Sequence, residues 1–278
     1  MSSELRALHR QQLFHWTGGD IEEKQVGREA TAEFYIERLH KTLNPQRGLW
    51  VKVPTGGDGK PKEALQLNGV QYPLLTPIVC FTEWNLGASK PHTSKYGHLG
   101  FVFPRRWVLE RGGQPVTYFR AAKTSPFLRA IADLLARYGE PAGQGRLPPS
   151  MDFLLHFAKP VSDFREKRDR KAKSGSKRVN TERIRDAFAR NAGSPMKFVA
   201  EREWRIVHHQ SKRFVKNLGE EPTAYFLPFK PGKELFTLVV PDNYIMNRVM
   251  RNPDLTNLLF PENGPHVTVL SWQDIGTF

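Results

Sequence analysis

Hydrophobic residues along this chain fall into short runs rather than long ones. LFHWTG, residues 13–18, is a compact apolar run that alternates poorly and stops at a Gly-Gly-Asp turn, which predicts a buried strand. Over Ile21–Leu43 the period changes. Val26, Ala30, Phe34, Ile36, Leu39 and Leu43 recur at helical spacing, with Asp20 where an N-cap belongs. GLWVKVP predicts a strand, TGGDGKPKEA a turn or hairpin tip, and PIVCF a buried strand. After a polar loop, GHLGFVFP and PVTYFR predict two more strands. Helices follow: PFLRAIADLLARYG is amphipathic and stops at a glycine, and SMDFLLHFA is shorter. Strands return in FVAEREWRIVHH, TAYFLPF and ELFTLVVP, then a helix, NYIMNRVMRNP, and a last strand, HVTVLSW. A short polar helix is expected over residues 1–12.

Strands, then helices, then strands again, without alternating βαβ units, predict an α+β fold with a mixed or antiparallel sheet. No shift of composition marks a boundary. Residues 1–278 therefore read as one domain with a basic flexible insertion at 165–190.

Charge changes the picture most. Lys and Arg number 42 against 28 acidic residues, a net +14. Such an excess attracts polyanions. From Arg165 to Arg190 there are eleven basic and four acidic residues, so half of the excess lies in this one segment. Lys167, Arg168, Arg170, Lys171 and Lys173 could grip phosphates there; a solvated linker accounts for the same charges equally well. TERIRDAFARNAG, after it, reads as a short helix capped by Thr181 or Asn180. The single cysteine, Cys80, excludes an internal disulfide and a Cys-rich zinc site. The N-terminus has no apolar run of signal-peptide length, and no later stretch is long enough to span a membrane. A cytoplasmic protein without membrane contact is expected.

Motif chemistry is sparse. There is no GxxxxGK[ST], no GxGxxG and no HExxH, and adjacent His208 and His209 point to opposite faces of a strand. No metal is expected. Two segments stand out, Phe14-His15-Trp16-Thr17-Gly18 and Glu201-Arg202-Glu203-Trp204-Arg205. In the second, alternation puts Glu201, Glu203 and Arg205 on one face and Arg202, Trp204 and Ile206 on the other. Same-face carboxylates repel, and are kept where a cation, an arginine or a cationic transition state compensates. A solvent-facing row of salt bridges is the other explanation.

LFHWTG is similar to the first strand of ADP-ribosyltransferases, and EREW resembles their late strand that carries the catalytic glutamate. Tyr96-Gly97-His98-Leu99-Gly100-Phe101 looks like the middle strand that gives nicotinamide an aromatic platform. That resemblance implies NAD as substrate. Glu203 would stabilise the ribosyl cation, and Glu201 would act on the acceptor. His15 and Thr17 would hold the ribose, Tyr96 and Phe101 the nicotinamide, and Arg105 or Arg106 the pyrophosphate. Trp16 departs from that pattern, since many of these enzymes have a small residue there. The layout from His15 to Phe278 also resembles abortive-infection phage-resistance proteins of the AbiGi type. CFTEW, YGHLGFVFPRRW followed by PVTYF, EREWRI and VLSWQDIGTF carry this likeness. It implies phage defence with a toxin or antitoxin partner. Two readings stand side by side. One is an ADP-ribosyltransferase-like defence protein acting on nucleic acid or an associated target; the other is a non-catalytic antitoxin or regulator that binds DNA or a toxin. A metal-dependent nuclease is weakened by the lack of an acidic cluster.

Overall fold

The computed structural model describes residues 12–55, 59–61, 63–67, 70–83, 86, 89–120, 126–138, 147, 149–161, 202–208, 214–216 and 225–275. In chain order the first elements are β1 (Gln12–Thr17), α1 (Gly19–Glu22), α2 (Arg28–Leu43) and β2 (Leu49–Val51). A hairpin follows, β3 (Ala64–Leu67) and β4 (Val70–Pro73), then β5 (Ile78–Thr82), α3 (Lys90–Tyr96), β6 (Leu99–Pro104) and α4 (Arg105–Glu110). Next come β7 (Gln114–Pro115), β8 (Thr117–Arg120), α5 (Pro126–Tyr138), α6 (Pro149–Leu155) and β9 (Ala158–Val161). The last part holds β10 (Glu203–Val207), β11 (Val215–Lys216), β12 (Tyr225–Leu227), β13 (Thr237–Val240), α7 (Asn243–Met250), α8 (Pro253–Leu259), β14 (Thr268–Ser271) and α9 (Trp272–Ile275).

These elements form an α+β fold with a mixed sheet, in two compact units. The first takes residues Met1–Pro54, Thr76–Gln114 and Trp204–Phe278; the second takes Thr55–Leu75 and Pro115–Glu203. The principal sheet has the order β14-β13-β6-β1-β5-β10-β7. β1 is antiparallel to both β5 and β6, and β13 is antiparallel to β6 but parallel to β14. Alternation sorts its side chains. Leu13, Phe81, Phe101, Phe103, Ile206 and Leu238 join α2, α7 and α8 in one large core. Phe14, Trp16, Val102 and Val239 face the other way and pack with Trp272 of α9. α7 and α8 start where caps dictate: Asp242 accepts from the Ile245 N–H and Asn252 from the Leu255 N–H.

In the second unit β3 pairs antiparallel with β4, and β8 parallel with β9. Leu74, Leu147 and Leu155 make its core, with Phe127, Leu128 and Ile131 of amphipathic α5 packed on it.

Several expectations need correction. The helix read from Ile21 breaks, because Gln25 takes a positive φ of 48° and Gly27, extended, caps α2. Asp20 is not a cap but an ion-pair partner of Arg38. The buried stripe of α2 is Ala32, Tyr35, Ile36, Leu39 and Leu43; Val26 and Ala30 are exposed. The polar loop before GHLGFVFP contains α3, so Tyr96 ends a helix and the strand starts at Leu99. The helix expected over 1–12, the basic segment 165–190 and the helix after it lie outside the described residues, apart from Gln12, which opens β1.

Candidate functional site

His15 sits on the inward side of β1, opposite Phe101 of β6 in register. Its ring lies 5.8 Å from the Phe81 ring and 6.4 Å from that of Phe101. Nδ1 is 2.9 Å from the Cys80 carbonyl oxygen, which can only accept, so the proton is on Nδ1. Burial pushes the His15 pKa below its ordinary 6.5, and the imidazole is neutral at pH 7. Two residues on, Thr17 Oγ1 accepts from Arg38 at 3.2 Å, and the same guanidinium grips Asp20 at 2.8 and 2.6 Å. That hydrogen-bonded pairing holds the Asp20 carboxyl below the usual carboxylate range. Trp16 points to the opposite face, where its indole covers Gly100. A Cβ on Gly100 would come within 2.5 Å of that ring.

The end of α3 is tied to the turn after β1. Gly97 has φ 96°, and a Cβ there would stand 2.2 Å from the Gly19 nitrogen, so only glycine lets the two backbones meet. His98 then donates its N–H to Glu22 Oε1 at 2.9 Å, with its Nδ1 at the same distance, and Tyr35 donates its hydroxyl at 2.7 Å. Burial by itself would raise the Glu22 pKa; these hydrogen bonds outweigh it and hold the carboxyl below its ordinary value. Tyr96 is exposed, with Lys95 Nζ 4.6 Å over its ring.

Three of the distinctive sequence segments converge in the first unit. Glu83 directly follows β5, Arg105 opens α4 where β6 ends, and Trp204 is the second residue of β10. Arg105 Nη2 is ion-paired with Glu83 Oε1, and the other Glu83 oxygen accepts a long bond from Trp204 Nε1 at 3.4 Å. The guanidinium lies 4.9 Å over the Trp204 ring, so it is held by charge and by the ring face together. Its buried Nε has no hydrogen-bond partner among the described residues. Arg106, next to it, is turned to solvent and pairs with Glu110 at 2.7 Å along the helix.

Glu203 belongs to the second unit, and its carboxylate is buried. Lys159 of β9 places Nζ 2.5 Å from Glu203 Oε2 and 3.5 Å from Glu63 Oε1. The Glu203 carbonyl accepts from the Val116 N–H at 2.8 Å. Along β10, Trp204 and Ile206 enter the large core and Arg205 is fully buried, so no member of the strand forms a solvent-facing salt-bridge row. Glu201 and Lys167, Arg168, Arg170, Lys171 and Lys173 lie outside the described residues.

The structure thus brings His15 and Phe101 together, and places Thr17, Tyr96, Arg105 and Arg106 in four other local environments. Sequence reasoning did not find Glu83 or Lys159. A glutamate directly after a buried apolar strand was the available signal for Glu83. Lys159 gave none, because its partner Glu203 is 44 residues away. Among the described residues no three His, Cys, Asp or Glu side chains are grouped to hold a metal ion, and no helix is long and apolar enough to cross a membrane.

A family model described as "Putative abortive phage resistance protein AbiGi, antitoxin" matches residues 74–226. The matched stretch is more than half of the chain, and it holds Glu83, Arg105, Lys159, Trp204 and the whole basic segment. His15 and the C-terminal strand and helix fall outside it. No curated protein and no solved structure gives a match. The chain belongs to the AbiGi family of abortive phage resistance proteins, a family described as antitoxin.

Proposed function

We propose that this protein is the antitoxin of an abortive-infection pair, that it restrains its toxin by binding, and that it transfers no ADP-ribose. The observation that carries this reading is the Lys159–Glu203 pair. In the transferase reading the Glu203 carboxylate must stabilise a developing ribosyl cation, a contribution of about 3–4 kcal/mol. Here an ammonium already sits 2.5 Å from that carboxylate. Freeing a buried partner from such a pair costs about 3–5 kcal/mol, which cancels the gain. The other groups that NAD would need are also occupied. His15 has its Nδ1 proton on a backbone carbonyl, and Arg105 is held by Glu83 and Trp204.

Charged side chains held by internal partners, Arg105 by Glu83 in the first unit and Glu203 by Lys159 in the second, suit a scaffold that presents a surface to a partner. The family description supports a toxin as that partner. Titrating the toxin of the pair with this protein and following toxin activity tests the idea. Inhibition should saturate at equimolar ratio, as binding requires. Inhibition complete at a small fraction of equimolar protein, growing with time, would instead mean that the antitoxin acts as an enzyme.

A further inference from the structure

The first unit carries a second, small sheet of order β11-β12-β2, whose outer face is aromatic and basic. Register sets Val215 opposite Phe226, and Phe226 opposite Trp50, so the three side chains form one cross-strand row. The alternate residues Leu49, Val51 and Leu227 are buried in the large core, which fixes the row as the outward side. Trp50 is 42% exposed and Val215 43%, high values for a tryptophan and a valine at the two ends of one row.

Cations flank this row. Lys52, directly after β2, places Nζ 4.6 Å over the Trp50 ring, and Arg47 lies 5.8 Å over the Phe226 ring. Gly48 makes the second contact possible. With φ 96° its backbone lies against Leu227, where a Cβ would meet the carbonyl oxygen at 2.1 Å. The turn is thereby pressed onto β12, with Arg47 beside its aromatic ring.

We propose that this face is a stacking platform for single-stranded nucleic acid. Exposed aromatic rings on a sheet stack bases, and neighbouring Arg and Lys side chains meet the phosphates. Adjacent strands lie about 4.8 Å apart, against a rise of about 3.4 Å per stacked nucleotide, so successive bases of an opened strand can reach neighbouring rings. A duplex keeps its base faces inside the helix and offers this row nothing to stack on. Arg47 and Lys52 give the row the local positive charge that complements such a ligand. The proposal rests neither on the basic segment 165–190 nor on the toxin-binding reading, and it stands or falls without either.

The test is fluorescence anisotropy of the full chain with labelled oligothymidylate, oligouridylate and an oligo(dA)·oligo(dT) duplex of equal length. Single strands should bind more tightly than the duplex and quench Trp50 fluorescence. Trp50→Ala and Phe226→Ala should each weaken single-strand binding roughly tenfold, and Trp50→Tyr should retain most of it. Phe236→Ala removes another exposed aromatic, 42% accessible, and should change nothing. Arg47→Gln and Lys52→Gln should each lower the log–log salt slope by about 0.7. Thermal melts of the variants, whose side chains point outward, identify any loss through unfolding, and Trp50→Tyr then decides. Equal binding by Trp50→Ala, or a duplex bound as tightly as single strands, would assign the affinity to charge alone and overturn the platform. No binding of any single strand by the wild type would also overturn it, in favour of a protein contact.

Discussion

Glu203→Gln should destabilise the protein, and the size of the loss follows from the pair it breaks. The substitution keeps the shape of the side chain but leaves the Lys159 ammonium facing a neutral amide. Breaking one half of a buried ion pair costs about 3–5 kcal/mol. Lys159 keeps Glu63 at 3.5 Å, so the lower end applies, about 3 kcal/mol. A protein of this size loses about 2–4 °C of Tm per kcal/mol, which gives a fall of roughly 6–12 °C in Tm. Lys159→Met should cost a similar amount, since it removes the ammonium 2.5 Å from the buried Glu203 carboxylate. Combining Lys159→Met with Glu203→Leu removes both charges, and should restore most of the loss, because apolar replacement of a buried pair is often neutral. Differential scanning calorimetry of the two single variants and the double one reads the coupling directly. If Glu203 were held in place for catalysis, its replacement would leave Tm unchanged or raise it, as is common at active sites. A melt of Glu203→Gln that superimposes on wild type would refute the structural role of the pair.

Three further outcomes are expected. His15 has a lowered pKa, so the unfolded chain takes up a proton that the folded one refuses; stability should fall as pH drops through 6.5, and His15→Gln should flatten that slope in pH-dependent melts. Glu22 is the reverse case by sign of charge but not of direction: its carboxyl is held low, its contribution is present above the ordinary value of 4.5, and acidification below that value should remove it, less so in Glu22→Gln. For the basic segment, neutralising Lys167, Arg168, Arg170, Lys171 and Lys173 should weaken nucleic-acid binding and lower the salt slope by about 0.7–0.9 per lost phosphate contact, whereas an unchanged slope would make the segment a linker.

Much of the first unit was legible because its strands are continuous apolar runs bounded by turn residues. LFHWT, IVCFT, LGFVFP and TLVV are such runs, and each is a strand of the principal sheet. What was missed depends on distant contacts. KPHTSKY has no apolar stripe, and α3 forms because Gly97 packs on Gly18 and Gly19 while His92 and Thr93 are buried. AKPV contains Lys and Pro and is a poor strand by propensity, yet β9 pairs with β8 and carries Lys159 to a buried carboxylate. The site was half legible. CFTEW, the PRRW stretch and EREW drew notice as separate motifs, but only the fold brings Glu83, Arg105 and Trp204 into one cluster. Alternation along EREWRIV assigned Trp204 and Ile206 to a common face correctly, but could not tell that Lys159 would answer Glu203.

The claim that this protein works by binding is tested most directly by incubating the pure protein with NAD, with and without extract of phage-infected cells, and measuring free nicotinamide by chromatography. The account predicts no nicotinamide above the rate of NAD alone, for wild type and for Glu203→Asp alike. Nicotinamide released by wild type and lost in Glu203→Asp, a variant that keeps the charge opposite Lys159, would contradict it and make Glu203 a catalytic residue.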